Sequence, residues 1–187
     1  MIPTIHQCCQ TMDKYHMPDH IRSHSMLVAK ITRLISTQLL LSGIDISVEK
    51  AVSGALMHDI AKFSCIHSHE DHCMKGKEIC VNEGFDEISD IVNEHVILRH
   101  AVTENDFNEK EIVNYADKRV LHDQIVSLQE RMNDIFIRYG PRFLHTDFER
   151  LFQKNCDICQ YIENKLFEKL DFLPQDVPEQ IVNISLF

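Results

Sequence analysis

The sequence predicts an all-α fold, a single compact helical domain with an appended C-terminal helix. Three observations carry this. Gly and Pro number only five each in 187 residues, so strong local breaks are few. Apolar residues recur at the spacing of a helix face, and the strict alternation of a half-buried strand is rare.

The elements follow in order. Pro18-Asp19 opens a helix whose apolar face carries Leu27, Val28, Ile31, Leu34 and Ile35, and Gly43 closes it. Ser47 is an N-cap for a helix expected to run through Lys62. A His-rich loop covers Ile66 to Asp71. A helix from about His72 ends near Gly84, and another spans Asp86 to about Arg99. Ala101 to Asn108 is polar and reads as loop. One long helix is expected from Glu109 to about Tyr139, stopped by Gly140-Pro141. A last helix covers Phe143 to about Leu170, and the tail from Leu173 is expected to be extended. No repeat, low-complexity stretch or interdomain linker is visible.

Composition narrows the function classes. Apolar residues are 44% and charged residues 26%, an ordinary globular balance. The formal net charge of -10 argues against a protein that grips nucleic acid or anionic lipid, because both need basic surface. It does not forbid a small anionic substrate, since a bound metal can outweigh nearby protein charge. The Leu39-Leu40-Leu41 run is far short of a membrane span and is followed by Gly43. The N-terminus lacks the basic and apolar regions of a signal peptide. The seven Cys are odd in number and scattered, as in reduced intracellular proteins. The expected location is cytoplasmic.

The informative residues are ionisable side chains on apolar faces. In "AVSGALMHDIAKFS" (residues 51–64), a core-like stripe ends on His58 and Asp59. His24 shares a face with Val28, Ile31 and Ile35. His95 follows Ile88, Ile91 and Val92. Asp117 lies between Val113 and Val120, and His72 leads into Gly76 and Ile79. A lone His in such a place is ordinarily a hydrogen-bonded core residue. Buried Asp is harder to account for, because an unpartnered carboxylate costs several kcal/mol. A divalent cation would satisfy the set together. Imidazole and carboxylate without thiolate suit Fe, Mn, Zn, Co or Ni and hydrolytic chemistry, not a closed structural zinc site. Near a helix end His58 and Asp59 can reach one metal from two sides, or Asp59 can bridge two.

The order His24, His58-Asp59, Asp117 on an all-helical chain resembles the HD-domain metal-dependent phosphohydrolase superfamily. The similar stretches are "HIRSHSMLVAKI", "ALMHDIAK", "HCMKG", "IVNEHV" and "IVNYADKRV" before "LQERM", within about residues 18–139. The bacterial HDIG-type subgroup is closest, with Ala61 where its motif has Gly. The resemblance implies three regions: an N-terminal segment (1–17), the HD domain (18–139), and a C-terminal helix and tail (140–187). It implies that His24, His58, Asp59 and Asp117 bind a first metal, and that His72 and His95 bind a second. His67 and His69 are close enough to compete with His72. It also places Lys62 near substrate phosphate, against the plainer reading of a solvated helix-end Lys.

Other residues carry weaker signals. His20, one turn before His24, reads as a surface residue or a cleft residue. Arg119, Arg131 and His122 could bind phosphate, since Arg forks match its oxygens, although basic residues at such spacings are ordinarily surface ion pairs. Arg99 and His100 could reach a cleft mouth. The C-x-x-C pair Cys156/Cys159 reads as helix packing, and Cys8-Cys9 carries no signal.

The expected function is therefore hydrolysis of a phosphoester or phosphoanhydride bond, with Asp59 and Lys62 in catalytic roles and a metal-activated water. The metal is a divalent transition ion, two per chain by resemblance, with Mg also admitted. The substrate is a small phosphorylated compound, for which the resemblance suggests a nucleotide. A homodimer stays open. Two other classes also remain: a non-catalytic metal- or nucleotide-binding regulatory module, and a di-iron oxygenase on the same fold.

Overall fold

A computed structural model describes residues 1–66, 68, 70–99, 102–104, 106–140 and 147–187. Helices α1 (Ile5–Lys14), α2 (Asp19–Leu41), α3 (Val48–Met57), α4 (Lys62–Cys65), α5 (His72–Asn82), α6 (Asp86–Glu94) and α7 (Glu109–Asp117) come first. A short antiparallel hairpin follows, β1 (Val120–Leu121) with β2 (Gln124–Ile125). The chain then forms α8 (Leu128–Tyr139), α9 (Phe148–Phe167) and α10 (Val177–Gln180), with 3₁₀ turns at Pro174–Asp176 and Ile181–Asn183. The fold is all-α, and the hairpin is the only sheet among the described residues.

Helix α2 is the spine. It buries His24, Val28, Ile31, Leu34, Ile35 and Leu39 at helical spacing, and packs against α3 and α7. It ends where Gly43 takes a positive φ, with Gly43 N–H donating to the Leu40 carbonyl and Ile44 N–H to that of Leu39. Two glycines set the tightest approaches. A Cβ on Gly54 of α3 would sit 2.6 Å from Ile91 Cγ2 of α6, and one on Gly76 of α5 would sit 2.7 Å from Val92 Cγ1. Without side chains there, α3 and α5 come close to adjacent faces of α6 near its end, which brings His58 and His72 to His95.

Several expected boundaries shift. The helix expected to run through Lys62 stops at Met57, with His58 as its C-cap. Asp59 lies in a following turn, where Ile60 N–H donates to Met57 O and Lys62 N–H to Asp59 O. Helix α6 ends at Glu94 instead of near Arg99, because the carbonyls beyond it are taken by side chains of α7 and its C-cap. Asn114 Nδ2 donates to His95 O (2.9 Å), and Lys118 Nζ donates to His95 O (2.6 Å) and Val96 O (3.3 Å). The long helix expected from Glu109 to Tyr139 is two helices separated by the hairpin. His122 adopts a positive φ at the hairpin turn, and Ser127 with Glu130 forms a reciprocal capping box that restarts the chain as α8. The expected start of the last helix at Phe143 lies outside the described residues, and α9 begins at Phe148. His67, His69 and His100 also lie outside the described residues.

Both ends of the chain pack into the main core. Segment 1–17 forms α1, which buries Cys8 and Met12. The tail is not extended: Phe172, Val177, Ile181 and Leu186 enter the same core, and Arg33 holds the Ser185 carbonyl across α2. Cys156 and Cys159 pack in a smaller cluster with Leu128, Met132 and Phe152. No described helix is long and apolar enough to cross a membrane.

Candidate metal centre

Five helices deliver ionisable side chains to one interior point. His24 comes from the first turns of α2, His58 from the C-cap of α3, Asp59 from the turn that follows it, and His72 from the start of α5. His95 comes from the end of α6 and Asp117 from the last residue of α7. His24, His58, Asp59, His95 and Asp117 are all buried.

The backbone sets the histidine tautomers. His24 Nδ1 donates to the His122 carbonyl (3.2 Å), His58 Nδ1 to Ala55 O (2.7 Å) and His95 Nδ1 to Val92 O (2.7 Å). Each neutral ring then carries its lone pair on Nε2. All three Nε2 atoms face carboxylate oxygens, which are also acceptors. His24 Nε2 is 3.0 Å from Asp117 Oδ1. His58 Nε2 is 3.6 Å from the same oxygen and 3.4 Å from Asp59 Oδ2. His95 Nε2 is 3.4 Å from Asp59 Oδ1 and 3.3 Å from His72 Nε2, which itself lies 3.6 Å from Asp59 Oδ1.

This is a cluster of acceptors facing acceptors. Two of them, His58 Nε2 and Asp59 Oδ1, are buried with no hydrogen-bond partner. Orphaned buried lone pairs are costly unless protons or cations fill the gaps between them. The donor set fits divalent metal, and two groups have the required compactness. His24, His58 and Asp59 form one, and His72, Cys73 and His95 the other, each offering ligand atoms within 4.8 Å of one another. Asp59 links the two groups, with Oδ2 toward His58 and His24 and Oδ1 toward His95 and His72.

Electrostatics agree. Burial opposes a charge on His58, but the Asp59 and Asp117 carboxylates outweigh it and push its pKa up to about 9. The cluster thus draws a proton into a place that a cation can take. Burial also works against the Asp59 charge, yet His58 and Lys62 hold its pKa well below the carboxylate range. Asp117 is likewise held low, chiefly by His24 and His58 against its burial. Burial pulls His72 down to about 4 and also lowers His95, so both stand neutral, as ligands must.

The remaining candidates separate by position. Lys62 Nζ donates to Asp59 Oδ2 at 2.6 Å, and its side chain is 37% exposed. With His72 it marks the open side of the cluster. Burial disfavours the Lys62 ammonium, but Asp59 and Asp117 dominate and its pKa is raised. Arg119 is a correction. Its guanidinium is buried and bonded to the Val126 and Pro174 carbonyls and the Tyr115 hydroxyl, so it braces the hairpin and tail and is not free for phosphate. The backbone of His122 acts at the site through its carbonyl on His24, while its exposed ring lies 2.9 Å from an Arg138 guanidinium nitrogen. Arg131 pairs with Asp134 at 2.9 Å, and its Nε is buried without a partner. His20 is exposed, and Arg99 reaches Asn93.

Sequence reasoning missed Cys73, Asn114 and the tautomer-setting carbonyls. Cys73 had one available signal, its adjacency to His72 in "HCMKG".

A family model described as HD domain matches residues 21–120, a span that holds every residue of the cluster from His24 to Asp117. No curated protein and no solved structure matches the chain.

Proposed function

The chain belongs to the HD-domain family, and from that premise we propose that it is a dinuclear metal-dependent phosphohydrolase acting on a small, nucleotide-like phosphate compound. The carrying observation is the convergence of Nε2 lone pairs from His24, His58 and His95 on the oxygens of Asp59 and Asp117. HD domains are in general metal-dependent hydrolases, and these residues are an N/O donor set that divalent transition ions accept.

In this reading His24, His58, Asp59 and Asp117 hold one ion, and Asp59, His72 and His95 hold the second. Bound there, the ions supply polarised phosphoryl oxygens and a water acidified to act as nucleophile near neutral pH. The protein's part is placement and charge. The Ala55, Val92 and His122 carbonyls fix the rings, so little reorganisation is needed when substrate arrives. Lys62 stands at the open side and stabilises negative charge that develops on phosphate oxygens. Asp59, between the two groups, would orient that water.

Charge balance supports an anionic substrate despite the overall charge of -10. The Asp59 and Asp117 carboxylates are offset by the Lys62 and Lys118 ammonium groups beside them. Each dication therefore leaves a local surplus of positive charge.

The test is phosphate release from a panel of phosphoesters, nucleotides and dinucleoside polyphosphates, assayed with Mn, Fe, Co or Zn and with oxygen uptake monitored. Metal-dependent phosphate release without oxygen uptake supports the proposal. Oxygen uptake without phosphate release supports a di-iron oxygenase, and metal binding without turnover a regulatory module.

A further inference from the structure

We propose that the Cys73 thiolate is a direct ligand of the second metal, giving that half of the centre a sulfur-containing donor set that the first half lacks. The inference rests on the dinuclear reading above.

Cys73 is buried at the start of α5, immediately after His72. Its Sγ lies 3.7 Å from His72 Nε2 and 3.8 Å from His95 Nδ1. The His95 Nδ1 proton is already donated to the Val92 carbonyl, so the sulfur contact there is not the main bond of that nitrogen. His72, Cys73 and His95 offer ligand atoms within 4.8 Å of one another. A second, independent observation points into the same space. Asp59 Oδ1 is buried, has no hydrogen-bond partner, and lies 3.4 Å from His95 Nε2 and 3.6 Å from His72 Nε2.

The separations about His72 Nε2 have the scale of a coordination shell. A tetrahedral ion with bonds of about 2.0 Å to N or O and about 2.3 Å to S sets donor–donor edges of roughly 3.3–3.6 Å. His72 Nε2 to His95 Nε2 is 3.3 Å, and the Asp59 and Cys73 contacts to His72 Nε2 are 3.6 and 3.7 Å. The set is two imidazoles, one carboxylate oxygen and one thiolate, the thiol proton leaving to solvent as the metal–sulfur bond forms.

The consequence is a difference between the halves. The first is all nitrogen and oxygen. The second, with sulfur, favours Zn, Fe or Co over Mg or Mn. Excess Mg should therefore not displace the second ion.

Cobalt titration of the full-length protein tests this, with X-ray absorption of the zinc-loaded protein as a measurement that needs no variant. The expected result is a near-ultraviolet thiolate-to-cobalt charge-transfer band in the unaltered protein and one sulfur scatterer at about 2.3 Å. Cys73→Ser abolishes the band and weakens the second ion by at least 10- to 100-fold, the range that losing even an outer partner of a ligand causes. The first ion is retained. Two bound ions with neither band nor sulfur scatterer overturn the thiolate ligand and leave the dinuclear centre standing, with Cys73 a hydrogen-bond donor to His72. A single bound ion without sulfur overturns both. A charge-transfer band in a protein that hydrolyses no phosphate compound supports the ligand and overturns only the proposed function.

Discussion

Asp59 Oδ1 lies 3.4 Å from His95 Nε2, and neither atom brings a proton to the contact. The other oxygen of the same carboxylate faces His58 Nε2 at 3.4 Å. One side chain therefore belongs to both halves of the centre. Asp59→Asn should lose both ions, while Asp117→Asn should lose only the ion held with His24 and His58. Elemental analysis of the purified variants checks this. Two ions retained in Asp59→Asn would remove Asp59 from the bridging position.

In the metal-free protein, His58 and His72 together should contribute most to stability near pH 6.5. His58 holds its proton up to about pH 9 against an ordinary value of 6.5. The stability this gives is complete below pH 6.5 and is lost as pH rises through 9. His72 works the other way. With its pKa pulled from 6.5 to about 4, its contribution is complete above pH 6.5 and is lost as pH falls toward 4. Bound metal displaces the His58 proton, so the alkaline loss should disappear and affinity should rise about tenfold per pH unit up to about 9. Thermal unfolding across pH, with chelator and with metal, measures both effects. An alkaline limb unchanged by metal would contradict the assignment of His58 as a ligand.

Lys62 separates binding of metal from chemistry. Its side chain is the most exposed of the cluster, and its ammonium pairs with Asp59 without being a ligand. Lys62→Met should keep the metal content and lower kcat by about 10²–10³, the scale of a lost electrostatic stabiliser. Loss of metal from this variant would instead make Lys62 a structural partner of Asp59.

The glycine contacts predict a packing effect. Gly54→Ala places a Cβ 2.6 Å from Ile91 Cγ2, and Gly76→Ala places one 2.7 Å from Val92 Cγ1. Each should destabilise by about 1–3 kcal/mol, or roughly 2–4 °C in Tm per kcal/mol for a chain of this size. Ile91→Ala should cost less in the Gly54→Ala background than alone, because it removes the clashing methyl. Additive costs would show that α3 and α6 separate freely.

The site was more legible than the helix boundaries. His24, His58, Asp59, His95 and Asp117 were visible because polar residues interrupt apolar faces at helical spacing, and all converge in the structure. The break between α7 and α8 was not recognised, although Ser127 and Glu130 spell a capping box, because Val120 and Ile125 continue the apolar pattern across the hairpin. The sequence admits Arg119 as a phosphate ligand or a surface ion pair and shows neither its burial nor its partners, because no local pattern reports that Tyr115, Val126 and Pro174 close around it. Cys73 offers only its adjacency to His72, because the contact of His72 with His95 forms only when α5 and α6 pack. Periodicity reports the face a residue occupies, and only the packing reports which faces meet.

The most direct measurement is phosphate release by the purified protein before chelation, after chelation, and after metal is restored. The centre described here predicts that activity falls to background when the ions are stripped and returns with about two equivalents of Fe, Mn, Co or Zn. Undiminished hydrolysis by metal-free protein would contradict it.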